Sequence, residues 1–231
     1  MEIRYLGHAG FQIRFNDFDL VIDPFISGNP MAKNINLDEL NPDFILLTHG
    51  HQDHVLDVES IAKNSKATII SNFEIVSWYE NKGIQGHPMN HGGRYQFDFG
   101  WIKYVHAIHS SVLPDGTYGG NSGGFVIWNE NQGKDNTCIY IAGDTALTID
   151  MKLIPQTCPT LDLAVLPIGD NFTMGYQDAA IAAEFVQASK ILGCHFDTFP
   201  PIVIDHKAAI DHFKNKGLEL ILLDIGKTLT V

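Results

Sequence analysis

His49-Gly50-His51-Gln52-Asp53-His54 sets three histidines and one aspartate on six consecutive positions. A hydrophobic core cannot satisfy four such side chains in so short a loop. His49 and His51, two apart at the end of a strand, can turn the same way and share one cation. Asp53 and His54, on the next turn, can reach a second cation beside it. Imidazole nitrogens with a carboxylate suit zinc or another first-row divalent ion, whereas calcium and magnesium prefer shells of oxygen. The competing reading, a polar surface loop with accidental histidines, leaves the clustering without a cause.

Outward from this stretch, residues 42–48 form an apolar run of buried-strand type that delivers the cluster at its carboxyl end. Ligands in α/β folds gather at such ends, where loops are rigid at the base and free at the tip. The arrangement recurs. Residues 101–108 read as a strand ending at His109, 138–142 as one ending at Gly143-Asp144-Thr145, and 161–167 as one ending at Gly169-Asp170. Upstream, 3–6, 11–15 and 19–22 alternate like strands of a meander, joined at 7–10 and at Asn16-Asp17 and stopping at Asp23-Pro24. Helical periodicity covers 58–64, 74–81, 178–192 up to the stop at Gly193, and 206–216, followed by a strand over 218–223. The segments 110–124 and 167–177, rich in Gly and Pro, read as loops.

A length of 231 residues with 45% hydrophobic content supports one large α/β domain, taken as residues 1–231. Net charge is −12, with 27 acidic against 15 basic residues and no basic run that could follow a phosphate backbone, so nucleic acid is a poor candidate for a partner and none is expected. No apolar stretch of membrane-spanning length occurs and the first residues do not resemble a leader, so a cytoplasmic protein without a membrane partner is expected. Cys138, Cys158 and Cys194, odd in number and widely spaced, agree with a reducing compartment.

The motif His-x-His-x-Asp-His resembles that of the metallo-β-lactamase-fold hydrolases. The likeness spans nearly the whole chain, through Tyr5-Leu6-Gly7-His8, Ile22-Asp23-Pro24-Phe25, Ala107-Ile108-His109-Ser110, Ala142-Gly143-Asp144-Thr145, Phe172-Thr173-Met174-Gly175 and Cys194-His195-Phe196-Asp197. Within the superfamily the chain looks most similar to a metal-dependent hydrolase family related to the ascorbate-phosphate lactonases. The resemblance implies a four-layer αββα sandwich and two divalent ions, zinc first, with manganese, nickel or iron as alternatives. It puts His49, His51 and His109 on one ion, Asp53, His54 and His195 on the other, and Asp144 between them. His109 and Asp144 end expected strands; His195 follows the expected helix that stops at Gly193. His106 is the rival of His109, since strand positions three apart face opposite ways and only one can face the site.

The implied chemistry is hydrolysis of an ester, lactone or phosphoester of a small metabolite by a bridging hydroxide, with Asp53 also shuttling the proton. Asp23 is the expected support of the histidine loop. His8, Ser110 and Thr173 are candidate substrate contacts, the last through free amides ahead of a helix. An RNA-processing or cyclic-nucleotide phosphodiesterase of the same fold is disfavoured by the acidic balance. A diiron redox enzyme would replace part of the histidine set and add a flavin domain, and a non-catalytic scaffold would have lost ligands. A homo-oligomer is left open.

Overall fold

The computed structural model describes residues 1–130 and 136–231. The strands are β1 Glu2–Gly7, β2 Gly10–Phe15, β3 Phe18–Ile22, β4 Phe44–Leu46, β5 Thr68–Asn72, β6 Gly86–Met89 and β7 Arg94–Phe97. They continue as β8 Gly100–His106, β9 Gly123–Trp128, β10 Cys138–Ile141, β11 Leu163–Pro167, β12 Lys190–Cys194, β13 Glu219–Ile221 and β14 Thr228–Thr230. The helices are α1 Gln52–Val55, α2 Val58–Ser65, α3 Phe73–Glu80, α4 Ile154–Thr157, α5 Tyr176–Val186 and α6 His206–Asn215.

Two seven-stranded sheets result, ordered β14-β1-β2-β3-β4-β5-β6 and β13-β12-β11-β10-β9-β8-β7. Each begins as antiparallel hairpins and continues parallel, the first from the β3–β4 pair and the second from the β10–β11 pair. The β2–β3 hairpin turns on Asn16 and Asp17, both at positive φ (50° and 68°), a conformation that matches strand twist and that Asn and Asp tolerate.

Period-two alternation assigns the core. Ile139 and Ile141 of β10 and Leu163 and Val165 of β11 pack between the sheets with Phe11, Ile13, Leu20 and Phe125. Cys138, Tyr140, Ala164 and Leu166, on the opposite face, meet the Ala-rich side of α5 and Phe213 of α6. A third cluster buries Ile45, Leu47 and Ile69 beneath Ile61 of α2 and Val76 of α3. Both faces of each sheet are covered, which is the expected four-layer sandwich and explains the near-continuous apolar runs of the central strands. Each fully buried Ile, Leu or Phe contributes roughly 1.5–3 kcal/mol.

Two expected elements are corrected. The helix expected over 178–192 ends at Val186, where Gln187 takes a left-handed turn (φ 58°). Lys190–Cys194 is then β12, paired in parallel with β11 and β13, and Gly193 lies inside it rather than stopping a helix. Its β-branched Ile191, with Leu192, is buried from both faces, and tertiary pairing wins over helical continuation. The strand expected over 101–108 ends at His106, so His109 lies in the loop beyond it. Strands β5, β6, β7, β9 and β14 were not apparent in the apolar pattern.

Candidate metal centre

The carboxyl ends of both sheets meet along one rim, and the histidine stretch lies across it. His49 leaves the β4 strand through Thr48, whose backbone N–H and hydroxyl both donate to Asp23, at 2.9 Å to Oδ1 and 2.6 Å to Oδ2. His51 is the N-cap of α1, and that single turn carries Asp53 and His54. Asp144 follows Gly143, whose positive φ (65°) brings the chain so near Thr48 that an added Cβ would sit 2.7 Å from the Thr48 Cβ. His195 follows β12 directly, also at positive φ (54°).

These elements bring the seven expected ligands together with one more side chain, His8. Asp144 Oδ2 is the hub: His195 Nε2 lies 3.0 Å away, His54 Nε2 3.3 Å, His109 Nε2 3.7 Å and His49 Nε2 4.0 Å. His49 Nε2 and His51 Nδ1 are 3.1 Å apart. On the other flank Asp53 Oδ2 lies 3.1 Å from His8 Nε2 and 3.9 Å from His195 Nε2. Ligand atoms of His49, His51 and His109 fall within 4.8 Å of one another, as do those of His8, Asp53, His54 and His195.

The surrounding hydrogen bonds set the ring tautomers. Thr48 Oγ1 donates to Asp23, so it accepts from His49 Nδ1–H at 3.0 Å, which leaves the His49 Nε2 lone pair facing the cluster. His54 Nδ1–H donates to Asp23 Oδ2 at 2.9 Å, and its Nε2 points inward at Asp144; against its burial, the Asp144 and Asp23 carboxylates hold this ring well above the usual histidine value. Asp23, with a strained backbone of φ 42°, thus aims two histidines at once. His8 Nδ1 is held 3.0 Å from Thr198 Oγ1, so its Nε2 meets the Asp53 carboxylate.

Divalent cations fit this donor set. Among the described residues His54 Nε2, Asp144 Oδ1 and His195 Nδ1 are buried polar atoms without a hydrogen-bond partner. Left bare, each costs about 1–3 kcal/mol. Burial, reinforced by neighbouring imidazoles, depresses His49 well below the usual histidine value, and burial also lowers His51 and His109. Neutral imidazole is the form that binds metal. Asp144 is ionised against its burial, because His195 and His54 hold its carboxyl well below the usual range.

His106 sits outside the centre, paired with Asp150 at 2.9 Å. His8 is buried beside Asp53 rather than standing at the mouth. A cavity of about 450 Å³ opens over the centre, lined by His51, Asp53, His109, Ser110, Asp144 and His195 and by Phe172, Phe199 and Pro201. Ser110 Oγ stands 3.3 Å from His51 Nε2. Thr173 is not in this lining: its hydroxyl turns to the Met174 carbonyl at 3.2 Å, and its neighbour Phe172 forms the wall instead. Sequence reasoning missed Thr198 and the apolar wall. An aromatic in a Gly/Pro-rich loop was the available signal for Phe172.

Residues 2–195 match the family model described as "Beta-lactamase superfamily domain". A Flavobacterium johnsoniae protein named "UPF0173 metal-dependent hydrolase" is 57% identical over 229 residues, 99% of each chain. A Thermus thermophilus protein of the same family name is 45% identical over 229 residues, 99% of this chain and 98% of its own. The solved structure of a metallo hydrolase from the archaeon Ignicoccus hospitalis superposes with a TM-score of 0.88 at 29% identity, covering 99% of this chain and 97% of that one. The structure of an isothiocyanate hydrolase from Delia radicum gut bacteria shares the fold, with a TM-score of 0.79 at 18% identity over 100% of this chain and 99% of that one. The chain therefore belongs to the β-lactamase superfamily, among its UPF0173 metal-dependent hydrolases.

Proposed function

We propose that the enzyme hydrolyses an ester, lactone or phosphoester of a small metabolite at a two-ion centre. His49, His51 and His109 hold one ion, Asp53, His54 and His195 the other, and Asp144 lies between them. The observation that carries this reading is the Asp144 carboxylate, ringed within 4.0 Å by imidazoles from both sheets. Zinc suits the donors best; manganese, nickel and iron(II) suit them also.

Bound there, the divalent ions supply Lewis acidity and lower the pKa of water from 15.7 toward about 7. The chain supplies the rest. Asp53 is the partly exposed carboxylate of the centre, with 31% side-chain exposure against 4% for Asp144, so it is the group placed to take a proton and pass it to a leaving oxygen. His8 orients Asp53 from behind. Asp23 and Thr48 keep His49 and His54 pointed inward, and Ser110 offers a hydroxyl at the cavity edge. The three unbonded cysteines suit a cytoplasmic setting, and no helix among the described residues is long and apolar enough to cross a membrane.

Metal analysis with an ester, lactone and phosphoester panel tests this. Expected are about two equivalents per chain, activity lost with chelator and regained with zinc or manganese, and both metal and activity reduced in Asp144→Ala. Protein that holds far less than two equivalents and stays inactive after each ion is added would overturn the reading. Full metal and activity in Asp144→Ala would remove Asp144 from its central role.

A further inference from the structure

We propose that the cavity takes an uncharged ester or lactone bearing an aromatic or branched alkyl group beside the acyl carbon, and selects against acyl groups or esters carrying a negative charge. The inference rests on the hydrolase reading above and narrows its substrate.

Lining chemistry is the first argument. Among the described residues none that lines the cavity is Lys or Arg, while Phe172, Phe199 and Pro201 form its apolar side. Proteins that bind phosphate or carboxylate groups outside their metals supply guanidinium, ammonium or free amides for the purpose. The nearby amides ahead of α5 stand beside negative charge. The carboxylate of Asp170 lies against Gly175, the N-cap of that helix, and Asp178 stands in its first turn. An incoming anion would meet negative charge there.

The placement of the aromatics is the second argument. Phe172 is 54% exposed, and it lines the cavity over the centre together with Phe199 and Pro201. It is presented by a turn in which Asp170 (φ 61°) and Asn171 (φ 56°) are both left-handed. That turn is fixed to the centre itself, since Met174 N–H donates to the carbonyl of Thr145, the residue after Asp144, at 3.0 Å. Phe199 follows Thr198, the partner of His8, and its ring centroid lies 5.4 Å from that of His8. Both rings are thus registered to residues of the centre, as a wall that grips the acyl group of a substrate must be. Hydrolysis joins the oxygen of water to the acyl carbon and breaks its bond to the leaving oxygen. One proton passes to that oxygen and the other leaves with the acid product.

The test uses the metal-replete full chain and p-nitrophenyl esters, so the leaving group stays constant. p-Nitrophenyl phenylacetate should exceed mono-p-nitrophenyl succinate at least tenfold in kcat/KM. Phe172→Ala should lower kcat/KM for phenylacetate about tenfold, chiefly through KM, and Phe172→Lys should reverse part of the discrimination against succinate. Phe73→Ala, another exposed phenylalanine on α3 away from the cavity, should change neither. In parallel, phenylacetamide binding followed by ligand-observed NMR should weaken at least fivefold in Phe172→Ala. Preference for succinate or for bis(p-nitrophenyl) phosphate, or phenylacetamide binding indifferent to Phe172, overturns the substrate assignment and leaves the hydrolase reading standing. No turnover of any ester, with phenylacetamide binding still dependent on Phe172, overturns the hydrolase reading and supports the assignment of the wall.

Discussion

The backbone N–H of His195 donates to the carbonyl oxygen of His8 at 2.8 Å, joining the end of β12 in one sheet to the end of β1 in the other. Both residues are left-handed, at φ 54° and 56°, and their rings approach to 4.1 Å between centroids. Such backbones cost about 1–3 kcal/mol each and persist where surrounding structure enforces them. His8→Asn keeps a residue that tolerates this conformation while removing the ring behind Asp53. Stability should fall by about 1–3 kcal/mol in denaturant titrations, since two buried hydrogen bonds are disturbed, while the variant still folds, kcat falls and metal affinity drops about 10–100-fold. Unchanged kcat and affinity would deny His8 its positioning role.

Asp23 accepts three hydrogen bonds, from the Thr48 N–H, the Thr48 hydroxyl and His54 Nδ1. Asp23→Asn turns part of that acceptor into a donor facing two donors. Loss of about 2–3 kcal/mol is expected, with about 10–100-fold weaker metal binding in competition with a chelating dye. The variant should still fold, since the apolar clusters beneath the rim are untouched.

His106 and His109 separate by the same measurement. His106→Ala removes an exposed hydrogen bond with Asp150, worth about 0–1 kcal/mol, and a ring contact with His91, and should leave metal content unchanged. His109→Ala should lose metal and activity together. The opposite pattern, read by elemental analysis, would exchange the two assignments.

On the proposed assignment, removal of metal should destabilise the fold, because the candidate ligands converge from both sheets only in the native arrangement. At free metal a hundredfold above its dissociation constant, linkage gives about 2.7 kcal/mol. For a chain of this size that corresponds to a melting temperature lower by about 5–10 °C after chelation, by calorimetry. An unshifted transition would argue that the imidazoles do not hold metal.

Away from the centre, hydrogen bonds from Lys63 and Lys82 draw the Glu59 carboxyl down from 4.5 to about 2. A depressed folded value means that the contribution is complete above the unfolded value and disappears as pH falls toward 2. The site is well exposed, so solvent screening keeps it below about 1 kcal/mol. Glu59→Gln should therefore be slightly less stable than the parent at pH 7 and indistinguishable from it near pH 2, by urea unfolding.

The sequence was most informative where polar residues break an apolar run. His49 to His54, Asp144 and Asp23 each stand at the end of a strand whose hydrophobic run is plain, so strand and site were legible together. His195 was placed through a helix that continues as β12, because Ala179 to Leu192 carries apolar residues that suit either element and only pairing with β11 and β13 decides. The role of His8 depends on Thr198, some 190 positions away, and no local pattern encodes that contact. Phe172 was invisible as a wall because exposure is a property of the folded surface.

The order in which the rim is assembled has a consequence for synthesis. His49 to His54 leave the ribosome with strands of the first sheet, but Asp144 and His195 follow strands of the second, 90 and 141 residues after His54. A nascent chain can offer a divalent ion only part of its seat until β12 has emerged and the second sheet has docked on the first. Metal capture therefore waits on the docking of the two sheets, and growth in metal-poor medium should yield folded but empty enzyme that an added ion can fill.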